Sequence, residues 1–186
     1  AEDGIRDFCL SRGLGDVYKR QELTTHNEYM DNQILTLSFF AKTANSIGED
    51  DVKISDRLFL PARILRGFES GKVGPKDGED YIGGNFLSAF NAQANLPVFQ
   101  SFETIDFNIF YDAANIWGVD YNSSLNDSSA LRSATGIAID WYTPVGPLSF
   151  VLAQSLSKAD TDITESFRFN LSIAITTVSR LSLATE

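Results

Sequence analysis

The chain has one cysteine, one histidine and one methionine in 186 residues. One Cys rules out a disulfide framework and a thiolate zinc cluster. His26 alone cannot form a paired imidazole metal site and has no nearby Ser or Cys partner. Basic residues are scarce: 15 Lys plus Arg stand against 25 Asp plus Glu, a formal net charge of −10. That balance argues against a nucleic-acid binder, which needs a basic stripe to displace counterions. No apolar run approaches the roughly 18–20 residues of a membrane helix. A membrane β-barrel survives that absence, because its strands are short and alternate. Aromatics are plentiful, at 14 Phe, 6 Tyr and 2 Trp, and point towards strands. With 43% hydrophobic and 22% charged residues the composition is that of a folded chain, and 186 residues suit one domain.

The two ends differ from the rest. Residues 1–21 hold the lone Cys9 and four of the 15 basic residues, without sustained alternation. They also lack the charged start and apolar run of a secretory signal. CLSRGLGDVYKRQ resembles translated sequencing-adapter read-through, so residues 1–21 are set aside from fold reasoning as a non-native segment. The tail, residues 177–186, raises the same suspicion. Residues 22–176 are then the domain to be explained.

From residue 34 onward period-two alternation dominates. In Ile34–Thr43, Leu35, Leu37 and Phe39 oppose Thr36, Ser38 and Lys42. Residues 85–97 set Leu87, Ala89, Asn91 and Gln93 against Phe86, Phe90 and Leu96. Residues 101–117 set Ile105, Phe107, Ile109 and Tyr111 against Asp106, Asn108, Phe110 and Asp112. GIAIDWYT, LSFVLAQSL and ESFRFNLSIAI repeat the pattern, the last with Phe167, Phe169 and Leu171 on its apolar side. The expectation is an all-β antiparallel meander of about six strands, each about 9–15 residues long, joined as hairpins. One connection, at about 48–81, is long and rich in Gly and charge, yet holds the apolar string RLFLPARILRGF.

A soluble sandwich alternates too, but its polar face should be rich in Lys and Glu. Here that face is mostly Ser, Asn, Gln, Thr and Asp, while the other is heavy in Phe and Ile. Trp117, Trp141, Tyr111 and Tyr121 fall near strand ends, as in an aromatic girdle. Long loops alternating with tight turns match an outer-membrane barrel. Six strands cannot close one, which needs at least about eight, so the chain reads as part of a larger barrel.

No reaction chemistry emerges. GFESGKV has three residues between its glycines and Val73 after Lys72, where a phosphate loop needs four and a Ser or Thr. No G-x-S-x-G occurs. Asp106 and Asp112 stand six residues apart on one face, roughly 20 Å, too far for a catalytic pair. Glu49, Asp50 and Asp51 read as a solvated loop, and no metal site is expected. Arg66 stands out, because a guanidinium inside an apolar string needs a partner if buried. Asp112 and Gln93, on the polar face, are of the right type; the alternative is an exposed loop arginine.

RILRGFESGKVGPKDG followed by GGN resembles the long loop of the BamA family of outer-membrane protein assembly factors, the bacterial surface antigens. That family's signature is Val-Arg-Gly-Phe, then Gly-Pro, then Gly-Gly-Asn. Arg66, Gly67, Phe68, Gly74, Pro75, Gly83, Gly84 and Asn85 match it. GIAIDWYTPVGPLSFVLAQSL is similar to the family's penultimate hairpin and ESFRFNL to its last strand, so the similarity covers about residues 34–172. The resemblance implies the C-terminal portion of a sixteen-stranded transmembrane barrel in the bacterial outer membrane, non-catalytic and without cofactor. It implies Arg66 folded into the lumen against Asp112, with Gln93 where the family has a second acid. It implies a seam at the final strand (Phe167, Phe169, Leu171) where substrate strands are templated. The implied partners are the lipid bilayer, unfolded β-barrel outer-membrane proteins, and periplasmic assembly lipoproteins and chaperones. Departures are Leu65 for Val, Ser172 for Gly, and a C-terminus without an aromatic end. The competing readings are a secretion or autotransporter-assembly barrel, a barrel anchoring a fused enzyme, and a soluble β-sandwich binding module.

Overall fold

The computed structural model describes residues 4–12, 16–30, 33–46, 52–96, 104–119, 130–144 and 146–171. Its strands are β1 (Gly4–Arg12), β2 (Asp16–Met30), β3 (Gln33–Ser46), β4 (Lys76–Asp77), β5 (Asp80–Tyr81), β6 (Phe86–Leu96), β7 (Ile105–Trp117), β8 (Arg132–Thr143), β9 (Gly146–Ser157) and β10 (Phe167–Leu171). A 3-10 turn at Ile54–Asp56 is the helical element among the described residues. Eight strands form one sheet in the order β1-β2-β3-β6-β7-β8-β9-β10, and β4 pairs only with β5. Every neighbouring pair in the large sheet is antiparallel. This is the all-β antiparallel meander that the alternation predicts.

Two strands exceed the predicted six. β1 and the start of β2 lie in the segment set aside, and β2 pairs with β3 from Asp16 to Met30. The signal failed for a physical reason. Lys19, Arg20, Gln21 and Glu22 put polar side chains on both faces of β2, so no period-two hydrophobicity marks it. Main-chain pairing with β3 supplies what side-chain pattern does not. β8 also begins at Arg132, ahead of GIAIDWYT, because the charged Arg132 and the small Ala134 continue its inward face. Ser172, the end of the last predicted strand, Tyr121, the acidic run 49–51 and the tail 177–186 lie outside the described residues.

From β2 onward the short connections fall at one end of the sheet and the long ones at the other. β7, with 13 residues, is about 43 Å long at strand rise. Tilted by about 40°, it stands about 33 Å tall, enough to cross the roughly 25 Å apolar band of a membrane barrel.

The two faces differ completely. One carries Phe39, Phe90, Ile109, Ile137, Leu152 and Phe169, exposed by 40–54%, with no protein over them among the described residues. A second sheet would have covered these rings, so the sandwich reading fails here. The other face is covered by the long connection between β3 and β6. Leu58, Leu60, Leu65, Phe68 and Val73 of that loop are at most 3% exposed. They pack on Phe40, Ala44, Leu87, Ala89, Ile116 and Ala134 of the sheet. The core therefore lies between one sheet and one loop.

Candidate functional site

The loop is pinned at its neck before it crosses the inner face. Leu58 and Gly84 exchange main-chain bonds, Leu58 N to Gly84 O at 2.9 Å and Gly84 N to Leu58 O at 3.0 Å. A Cβ on Gly84 would lie 2.6 Å from the carbonyl oxygen of Trp117, so the backbone passes too close for any other residue. Asn85, 7% exposed, completes the passage through its backbone: its N–H donates to Gly118 O (2.9 Å) and its carbonyl accepts from Ala44 N (2.8 Å). The predicted Gly83-Gly84-Asn85 stretch is thus the point where the loop re-enters the sheet.

At the far end Pro61 starts a tight turn, with Ile64 N donating to Pro61 O at 2.9 Å. The turn presents Arg66 and Gly67 to the sheet. Gly67 has φ +86°, and its α-carbon rests on Ala134 and Ala153, whose methyls would lie 3.1 Å from any added Cβ. Both the left-handed backbone and the shallow floor demand glycine here. Phe68 follows, 1% exposed, and Gly74 and Pro75 are buried further along.

Arg66 meets Asp112 as a bidentate pair: Nε to Oδ2 and Nη2 to Oδ1, both 2.7 Å. The Arg66 backbone N–H adds a third bond to Oδ2 at 3.1 Å. Asn91 Nδ2 donates to Oδ1 at 2.8 Å and to the Ile64 carbonyl at 2.6 Å. Four N–H groups thus occupy the carboxylate, the full capacity of its two oxygens. The remaining guanidinium arm, Nη1, donates to Gln93 Oε1 at 2.7 Å. The guanidinium also lies 3.7 Å above the Phe110 ring centroid, a cation–π contact. Asp112 is completely buried and the Arg66 side chain is 15% exposed.

With a neutral Gln at 93, one cation faces one anion. Arg66 and Gln93 also line a cavity on the inner face of about 260 Å³. The sequence reading placed Asp112 and Gln93 on the right face and overlooked Asn91 and Phe110. Both share the inward register of those partners, which was the available signal. It also missed Arg132 and Asp162, a second buried ion pair. Inward parity marks Arg132 on β8, but nothing in a loop sequence marks Asp162. The Phe167, Phe169 and Leu171 side chains project outward from β10, each exposed by 46–55%, and Phe169 packs on Phe150 of β9 at 5.1 Å between rings. β10 pairs with β9 alone, and its other edge is open among the described residues. Among those residues there is no cluster of acidic, His or Cys side chains able to hold a metal ion.

The chain as a whole is similar to known proteins. The Omp85 superfamily domain profile matches residues 9–175. BamA, the outer membrane protein assembly factor, of Neorickettsia risticii is 30% identical over 146 residues, covering 75% of this chain and 20% of that protein. BamA of Neisseria meningitidis is 30% identical over 137 residues, covering 58% of this chain and 17% of that protein. The chain thus spans about a fifth of the length of these curated relatives. A crystal structure of BamA from Haemophilus ducreyi, lacking POTRA domains 1–3, superposes with TM-score 0.69 at 25% identity. It covers 83% of this chain, which corresponds to 34% of that one.

Proposed function

The chain belongs to the Omp85 superfamily, and we propose on that footing that it serves an insertase that helps β-barrel proteins fold into the bacterial outer membrane. It lies in that membrane as part of a barrel. The reading is non-catalytic. The outward Phe and Ile rows meet acyl chains, and the loop-covered face is the lumen. Substrate strands pair with the open edge of β10 through main-chain hydrogen bonds, as in β-augmentation. Free energy comes from the substrate's own folding. The substrates are unfolded β-barrel proteins, delivered by periplasmic chaperones and assembly lipoproteins.

One observation carries this reading: a loop cation bound bidentately to a fully buried strand carboxylate. A flexible surface loop has no need of such a fixture. In this proposal Arg66 holds the loop in the lumen while the seam works. The test is replacement of Arg66 by Ala and by Lys in the complete protein, in cells depleted of the native assembly factor. Both variants should lower folded outer-membrane protein levels, since Lys offers neither the fork nor the flat face. Normal levels with Arg66→Ala would overturn the role.

A further inference from the structure

The connection between β9 and β10, residues 158–166, is zipped to the long loop. Phe68 and Thr164 form an antiparallel bridge. Around it Glu69 N donates to Ile163 O (3.0 Å), Ile163 N to Lys72 O (3.1 Å) and Glu165 N to Gly67 O (3.0 Å). Beside this ladder lies the second ion pair, Arg132 with Asp162, both side chains 0% exposed. Arg132 Nε meets Oδ2 at 2.9 Å and Nη2 meets Oδ1 at 3.2 Å. The same carboxylate accepts the backbone N–H of Gly74 in the loop (3.3 Å) and of Ala159 in its own turn (2.7 Å). Arg132 Nη1 reaches Asn115 Oδ1 on β7 (3.0 Å) and the Ala130 carbonyl (2.9 Å). On β10 itself, Arg168 Nη2 donates to the Phe68 carbonyl at 3.0 Å, and Nε to Glu165 Oε2 at 3.0 Å.

We infer that the Gly67–Gly74 stretch of the long loop and the β9–β10 hairpin form one conformational unit, with Asp162 as its joint and Arg168 as its link to the edge strand. Displacing β10 strips the Phe68 carbonyl of Arg168 and pulls on the ladder. Lifting the loop strips Asp162 of Gly74 and opens the buried pair to rearrangement. The first departure leaves a buried carbonyl short of its donor and the second leaves a buried carboxylate short of one, so the two events favour each other. Such coupling is reciprocal: a perturbation of the loop must appear at β10, and one of β10 at the loop. The side-chain hydrogen bonds of Arg66 run to β6 and β7 rather than to this hairpin. The inference concerns mechanics alone and does not depend on the insertase reading.

The test is amide hydrogen exchange on the complete protein in detergent micelles. Arg66→Ala loosens the loop by removing side-chain bonds made to β6 and β7. Exchange should then rise about tenfold or more both at 67–74 and at 163–171. Arg168→Met, which keeps the stem and removes the bonds to the Phe68 carbonyl and to Glu165, should raise exchange at 67–74. Faster exchange confined to the loop in Arg66→Ala, with 163–171 protected as in the wild type, overturns the inference. If Arg66→Ala fails to fold, Arg168→Met decides alone: unchanged protection at 67–74 overturns the inference equally.

Discussion

Replacing Asp112 by alanine is the most direct probe of the loop site. The carboxylate accepts three bonds from Arg66 and one from Asn91. Removing it leaves a guanidinium, 15% exposed, with one bond to Gln93 and the Phe110 face. Breaking a buried pair from one side costs about 3–5 kcal/mol. The surviving contacts and partial exposure set the expected cost at the lower end, about 3 kcal/mol. At about 1.4 kcal/mol per decade, the undocked loop becomes about 100-fold more populated. Trypsin reads this population at Arg63 and Lys72, whose side chains are exposed but whose backbone is held in the docked loop until it lifts. While reclosing is faster than cleavage, the cutting rate follows the open fraction and should rise about 100-fold. The double variant Arg66→Met/Asp112→Ala removes both charges. It should lose much less than the sum of the single variants, a coupling of about 2 kcal/mol. Additive losses, or a cleavage rate changed less than threefold by Asp112→Ala, would refute the energetics.

Two neighbouring residues on β8 test the two faces of the sheet. Gly136 lies under Phe110: a Cβ there would stand 2.8 Å from the ring and 2.1 Å from the Leu152 carbonyl oxygen. Gly136→Val should therefore destabilise the barrel by about 1–3 kcal/mol, read as a lower urea midpoint in vesicles, and an unchanged midpoint would count against the packing described. Ile137 points outward and is 45% exposed. A lysine there would matter by about 0.5 kcal/mol or less in water, but by about 2–4 kcal/mol near the centre of a bilayer. Undiminished folding of Ile137→Lys into vesicles would sink the lipid-facing assignment.

Alternation made most of the sheet legible. On β7, Asn108 and Asp112 inward against Ile109 and Tyr111 outward is the period-two pattern of a strand between two different surroundings, and β8 and β9 repeat it. β2 escaped because charge on both faces erases the period, and its place in the sheet comes from backbone pairing with β3. The start of β8 escaped because Arg132 is charged and Ala134 small, so neither marks an apolar face. In the site, burial of Arg66 follows from its apolar neighbours, and the right partner types were visible on the inward face. Choosing Asp112 across 46 residues came from the family resemblance, since no local spacing encodes a contact between a loop and a distant strand. Asp162 had no signal at all: an aspartate in a polar turn reads as solvated until a second segment is laid over it.

The loop face also explains why a charge is buried where hydrophobic contact alone would hold. The floor under the loop is repetitive, with Ala89, Ala134, Ala138 and Ala153 at similar depth. Burial of Leu65 and Phe68 on such a floor is favourable but non-directional, so it leaves the loop free to slide along the strands. The bidentate Arg66–Asp112 bond has one register and one orientation. It contributes little adhesion beyond an apolar pair of the same shape. Its contribution is to select one docked position among several of similar burial. The double variant Arg66→Met/Asp112→Ala should accordingly stay docked yet lose uniqueness, seen as multiple cross-linking positions for a probe at residue 67. A single position in that variant would assign the register to the apolar residues instead.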